Sequence, residues 1–146
     1  MLDLSIAIGH HLIIFALFGI LAVELALLRD GITLDTVRRI GRIDIWYGIL
    51  AGAILAIGFS RAIFAAKGWP YYSHNGFFWA KIATFATIAL LSLPPTFRFI
   101  RWGRASAPPS SEDIRRAKVF LYTELVLFAP LLAFAAAMAR GYGEMR

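Results

Sequence analysis

Apolar positions fill four stretches of the chain, about 4–28, 43–66, 77–99 and 115–139, while polar and charged positions crowd the segments between them. Each stretch holds the roughly 20 mostly apolar residues that a helix needs to cross the hydrocarbon of a bilayer. The short links make consecutive spans antiparallel neighbours, which predicts an all-α integral membrane four-helix bundle covering residues 1–146 as one domain. There is no internal repeat, and "SAPPSS" is the one low-complexity segment. The opening "MLDLSI" lacks a basic n-region, and the first apolar run is too long for a signal-peptide core, so it is expected to be a permanent helix.

Local signals refine the four spans. Ser110, with Asp113 three residues on, reads as a capping-box start for span four. Pro94 and Pro95 are expected to kink or end span three. Gly48, Gly52 and Gly58, with Ala51 and Ala62 near the same face, predict a seam where another helix packs closely. Trp69, Tyr71, Tyr72 and Trp79 fall at one membrane interface and Trp46 and Trp102 at the other, as aromatic anchors do.

Composition agrees with the pattern. The chain is 60% hydrophobic, with mean hydropathy +0.70 and 16% charged residues. The formal charge of +6 does not indicate nucleic acid, because the arginines have no soluble domain to sit on. Their expected role is to set topology and to meet anionic lipid. The absence of cysteine excludes disulfides, thiolate metal sites and cysteine catalysis, and without CxxCH any haem is held without thioether links. Arg29, Arg38, Arg39 and Arg42 lie in the first link, and Arg98, Arg101, Arg104, Arg115, Arg116 and Lys118 in the third, against Lys67 alone in the second. The basic links are expected to face the cytoplasm, with both termini outside (N-out, C-out).

Orientation sorts the ionisable residues by depth. His10, His11, Arg61 and Lys81 fall within one or two helical turns of a common outer level, and Glu24, Asp44 and Glu124 gather toward the inner side, near the link arginines. Ionisable groups at membrane depth are costly, and they pair, face the bundle interior or serve a site. Asp44 is expected to pair with a nearby arginine, and Glu24 and Glu124 either do the same or handle protons. Two adjacent histidines level with two cations suit haem b: a neutral imidazole ligates iron, and Lys81 and Arg61 meet the propionates. Phe15, Phe59 and Phe78 would then flank the macrocycle. Adjacent residues point about 100° apart on a helix, so His10 and His11 do not bind one iron from the same side. Glu24 lies about 40° from His10 on the wheel, while the small residues Gly19, Ala22 and Ala26 lie nearer His11. The wheel leaves both histidines open as the ligand. A second axial ligand within one protomer would be His74 or the neighbouring histidine, and a haem shared between copies stays open.

The segments "GHHLIIFALFGILAVELALLR", "RIDIWYGILAGAILAIGFSR", "AKGWPYYSHNGFFWAKIA" and "LLSLPPTFRFIRW" resemble the DUF2214 family of small four-helix bacterial membrane proteins over nearly the whole chain. That family name implies a fold and carries no activity. The early histidines and the "FFWAK" that opens span three more distantly resemble the HemJ-type oxygen-independent protoporphyrinogen oxidases and the CopD membrane domain. In the HemJ family an early histidine of the first span binds haem b, and a lysine after a tryptophan in a later span is required. The resemblance puts those roles on His10 or His11 and on Lys81. The HemJ block continues with a tryptophan and an arginine, whereas "FALFGILAVELAL" has neither.

The expected function is a multi-pass haem b protein of the bacterial inner membrane, in electron transfer or a quinone-linked oxidation. Its partners are the lipid bilayer and a quinone or porphyrin substrate, and homo-oligomerisation is left open. His10 and His11 are the metal-ligand candidates, His10, His11, Arg61 and Lys81 the cofactor contacts, and Glu24 and Glu124 the proton-handling pair. A proton or metal-ion transporter using His10, His11, Glu24, Asp44 and Glu124 is the second expectation, and a structural membrane subunit the third.

Overall fold

The computed structural model describes residues 2–64 and 68–144; the side chains of residues 2–4, Arg61 and Phe64, and the whole of Lys67, lie outside the description. The described chain forms five helices: α1 Leu2–Leu27, α2 Leu34–Phe64, α3 Gly68–Ser73, α4 Gly76–Arg104 and α5 Ser111–Ala139. Four of them, all except α3, are long and apolar enough to cross a membrane. At 1.5 Å per residue these four run about 40–46 Å, more than the roughly 30 Å of hydrocarbon, so their ends extend into the headgroup level.

The helices form a square. α1 packs on α2, α2 on α4, α4 on α5, and α5 returns to α1, leaving α1–α4 and α2–α5 as the diagonals. Leu17, Leu21, Ile40, Tyr47, Ile88, Phe99, Leu121 and Phe128 build the buried core. Leu12, Phe15, Trp46, Leu90, Phe97 and Val126 are each more than 60% exposed. Such a surface is a liability in water and the normal outer face of a bundle in lipid. The protein is therefore a multi-pass membrane protein.

The caps follow the local sequence. The Ser110 hydroxyl accepts from the Asp113 amide (3.2 Å) and donates to the Asp113 carboxylate (2.8 Å), so the expected start of the last span is present. Asn75, fully buried, caps α4 by accepting from the amides of Phe77 and Phe78. Its side-chain amide donates to the Tyr142 carbonyl at 3.0 Å, and the Gly76 amide donates to the Gly143 carbonyl at 2.8 Å, which ties the end of the described chain to this cap. Gly143 has φ +87°, and a Cβ there would stand 2.4 Å from the Phe77 ring, so only glycine fits this turn.

Four expectations need correction. The second span begins at Leu34 rather than near 43: Thr33 accepts from the Thr36 amide (3.3 Å), and Arg38, Arg39 and Arg42 ride on helix instead of on a link. Of the two outcomes expected at Pro94 and Pro95, a kink or an end, the end does not occur, and the helix continues to Arg104. Packing beyond them, by buried Pro95, Phe99 and Trp102, holds the helix through the missing amide donors. Gly48 and Gly52 face outward with nothing within 4 Å of a Cβ, and the seam runs instead through Ala51, Ile54, Gly58 and Ala62. Trp102 is a core residue edge-on to Phe99 at 5.8 Å, not an interface anchor.

Candidate functional site

Two groups of ionisable side chains lie at different depths. At one end His10 and His11 on α1 and Lys81 on α4 line a cavity of about 660 Å³. That volume is in the range of about 300–1,000 Å³ typical of small-molecule and cofactor sites. The space exists because the facing positions are small: Ala7, Gly58, Ala62, Ala135, Ala136 and Ala139 contribute to its walls. Phe78, Phe85 and Phe128 supply flat apolar surface, and Tyr71 and Tyr72 of α3 lie at its rim. Tyr71 is fixed there by donating to the Met138 carbonyl at 3.2 Å. Both tyrosines were expected as interface anchors, and the short helix that carries them gave no separate signal in the sequence.

The two histidines differ. The His10 ring packs toward α2, its Cε1 3.6 Å from where a Cβ on Gly58 would stand. The His11 Nδ1 is 2.7 Å from the Ala7 carbonyl. A carbonyl only accepts, so Nδ1 carries the hydrogen, and in the neutral ring Nε2 keeps its lone pair. The rings meet edge to face with centroids 6.1 Å apart. The Lys81 ammonium stands 5.7 Å from the centre of the Phe78 ring. Phe59 and Phe78 line the cavity as expected, but Phe15 is 68% exposed and points away from it. His74 is exposed outside the cavity, its Nδ1 donating to the Pro70 carbonyl at 2.9 Å, so it is no second ligand for a group bound there. The side chain of Arg61 lies outside the described residues.

At the other depth Glu24 on α1, Asp44 on α2 and Glu124 on α5 are buried, within electrostatic reach of one another. Tyr47 reaches across the α2–α5 diagonal to donate to Glu124 at 3.2 Å, and Thr96 on α4 donates to Asp44 at 3.0 Å. Neither oxygen of Glu24 has a hydrogen-bond partner among the described residues. The expected arginine pairing is absent: among the described residues Asp44 has its threonine, Glu124 its tyrosine, and the ion pairs are those of Glu112 with Arg115 and Arg116. Arg29 and Arg38 donate instead to backbone carbonyls at the helix ends, those of Ala26 at 3.0 Å and Gly103 at 3.3 Å. Tyr47 and Thr96 were not foreseen; the one signal available was that Asp44 and Tyr47 are three residues apart and so share a helix face.

A layer of side chains that includes Leu17, Leu21, Ile88 and Leu131, each at most 5% exposed, separates the two groups. From Leu17 at the cavity floor to Glu24 is about 10 Å along α1. Among the described residues no three His, Asp or Glu side chains are arranged to hold a metal ion.

No curated protein and no solved structure matches the chain. Residues 2–143 match the family model described as "Predicted membrane protein (DUF2214)", and with four helices able to span a bilayer, the chain belongs to that family.

Proposed function

We propose that this is a haem b-binding redox protein of the bacterial inner membrane, with its site in the cavity at the histidine end. One observation carries the reading: a 660 Å³ largely apolar cavity that brings together two histidines and a lysine, with two tyrosines at its rim, one histidine held by Ala7 with Nε2 as its lone-pair nitrogen. The donor set fits the group. His11 is the residue that would hold the iron, since its Nδ1–H···O=C bond fixes the tautomer and leaves Nε2 as the ligand nitrogen. His10, packed toward Gly58, orients the helix against α2 and closes one wall. Lys81 is the cation for a propionate, and Phe78 and Phe59 offer apolar faces to a flat ring. When bound, haem b supplies a one-electron centre whose potential is set by its axial ligand and by burial. A quinone, as a flat apolar molecule that takes up protons with its electrons, suits exchange at such a site. Glu24 and Glu124 hold and release protons on the far side of the apolar layer, with the Tyr47 hydroxyl oriented on Glu124.

The apolar layer between cavity and carboxyl groups weighs against the transporter reading, which needs a continuous polar path. The visible spectrum of detergent-purified protein from cells supplied with a haem precursor tests the haem reading. The expected result is a Soret band that His11→Ala removes and His10→Ala retains, with Lys81→Ala weakening retention without abolishing it. Colourless wild-type protein would refute it, and a full, unshifted spectrum in both histidine variants would refute the ligand assignment.

A further inference from the structure

The arginine end of the bundle carries a second cleft, of about 380 Å³, that the haem reading does not use. Phe97, Arg98 and Arg101 on α4 face Asp113 and Arg116 on α5 across it. Three guanidinium groups therefore meet one carboxylate. That carboxylate is engaged with its own helix cap, where Asp113 accepts the Ser110 hydroxyl at 2.8 Å. Arg116 gives its Nε–H to Glu112 at 2.9 Å, which leaves its terminal nitrogens for other acceptors. Arg101 lies in the last turn of α4, exposed, and makes no ion pair among the described residues.

Arg98 is the informative residue. Its guanidinium lies over the Phe120 ring, 5.4 Å from the centroid, which fixes the direction of the fork. One of its terminal nitrogens, Nη1, is buried and has no hydrogen-bond acceptor among the described residues. A guanidinium N–H withdrawn from water without an acceptor is unfavourable, and it stays so until an anion supplies an oxygen. The cleft lies in the last two turns of one spanning helix and the first two of the next, the level at which headgroup phosphates lie. Planar guanidinium forks, an aromatic wall and excess positive charge between helix ends are the features by which a protein recognises phosphate.

We propose that the Arg98–Arg101–Arg116 cleft binds a phosphate group bearing net negative charge, supplied by an anionic phospholipid or by a soluble phosphate. The full chain, purified in an uncharged detergent and stripped of lipid, is titrated separately with phosphatidylglycerol, with inorganic phosphate, and with phosphatidylcholine, whose choline cancels the phosphate charge. Binding is read by the shift in thermal unfolding and by bound lipid in native mass spectrometry.

The expected result is that phosphatidylglycerol binds and raises the melting temperature while phosphatidylcholine does not. The double variant R98Q/R101Q should bind roughly tenfold more weakly. R104Q, which alters the same helix end outside the cleft, should bind like wild type. R101Q alone, at an exposed position, should weaken binding severalfold and serves if the double variant does not fold. Inorganic phosphate acting with the same arginine dependence would support the site and assign it to a soluble ligand. Undiminished phosphatidylglycerol binding by R101Q and R98Q/R101Q, an equal loss in R104Q, or no response to either anion would overturn the proposal.

Discussion

The histidine cavity and the carboxyl cluster start from the same kind of sequence feature, ionisable residues inside apolar helices, and end as opposites. His10, His11 and Lys81 surround about 660 Å³ of space. Glu24, Asp44 and Glu124 have at most 6% of their surface exposed and line no described cavity. The size of the neighbours makes the difference. Alanines and a glycine face the cavity, whereas the helices beside the carboxyl groups carry Leu21, Tyr47, Ile88, Phe99 and Leu121, which fill the interior. Polar groups in the first region border open space, whereas in the second Glu124 and Asp44 are bonded to Tyr47 and Thr96. An ionisable residue in a span thus points to ligand binding only where the bundle also leaves volume beside it.

The largest expected effect comes from erasing the boundary between the regions. Leu21 is 1% exposed in the layer above Glu24, and Leu21→Ala should destabilise the protein by about 2–5 kcal/mol, the transfer and cavity terms together. Thermal unfolding in detergent measures this. A vesicle assay for proton leak adds a second readout, with a faster leak than wild type expected once the seal is thinned. An unchanged melting temperature would mean that the two regions are not divided by a packed layer.

The carboxyl cluster itself divides into a bonded and an unbonded member. Glu124→Met leaves the buried Tyr47 hydroxyl without its acceptor and should cost about 1–3 kcal/mol. Glu24→Met removes two oxygens that have no hydrogen-bond partner among the described residues, so stability should hold or rise. Equal destabilisation by both, measured by the same melts, would show the cluster acting as one unit and would blur the contrast with the cavity.

The smallest effect tests whether the outward glycines belong to either region. With nothing within 4 Å of a Cβ at Gly52, Gly52→Ala should stabilise α2 by roughly 0.5–1 kcal/mol through helix propensity. A loss of stability instead, together with a change in oligomer size on a sizing column, would mean that a second copy covers this face.

Much of the architecture was legible in the sequence because crossing a bilayer demands runs of apolar residues whatever the neighbours are. That demand set the number of spans, and it placed His10, His11 and Lys81 at one depth and Glu24, Asp44 and Glu124 at another. The Ser110 cap was legible too, because a cap is a local hydrogen bond between residues three apart. Which face of each helix turns inward was not legible. In lipid the outer face is as apolar as the inner, so Gly48 and Gly52 read like a seam and Phe15 like a wall, and both point outward. Nor could spacing along the chain pair Tyr47 with Glu124, 77 positions apart across the diagonal of the square. Only the packed bundle decided these points, because volume and partnership arise where four helices meet, and hydropathy along one helix records only that its surroundings exclude water.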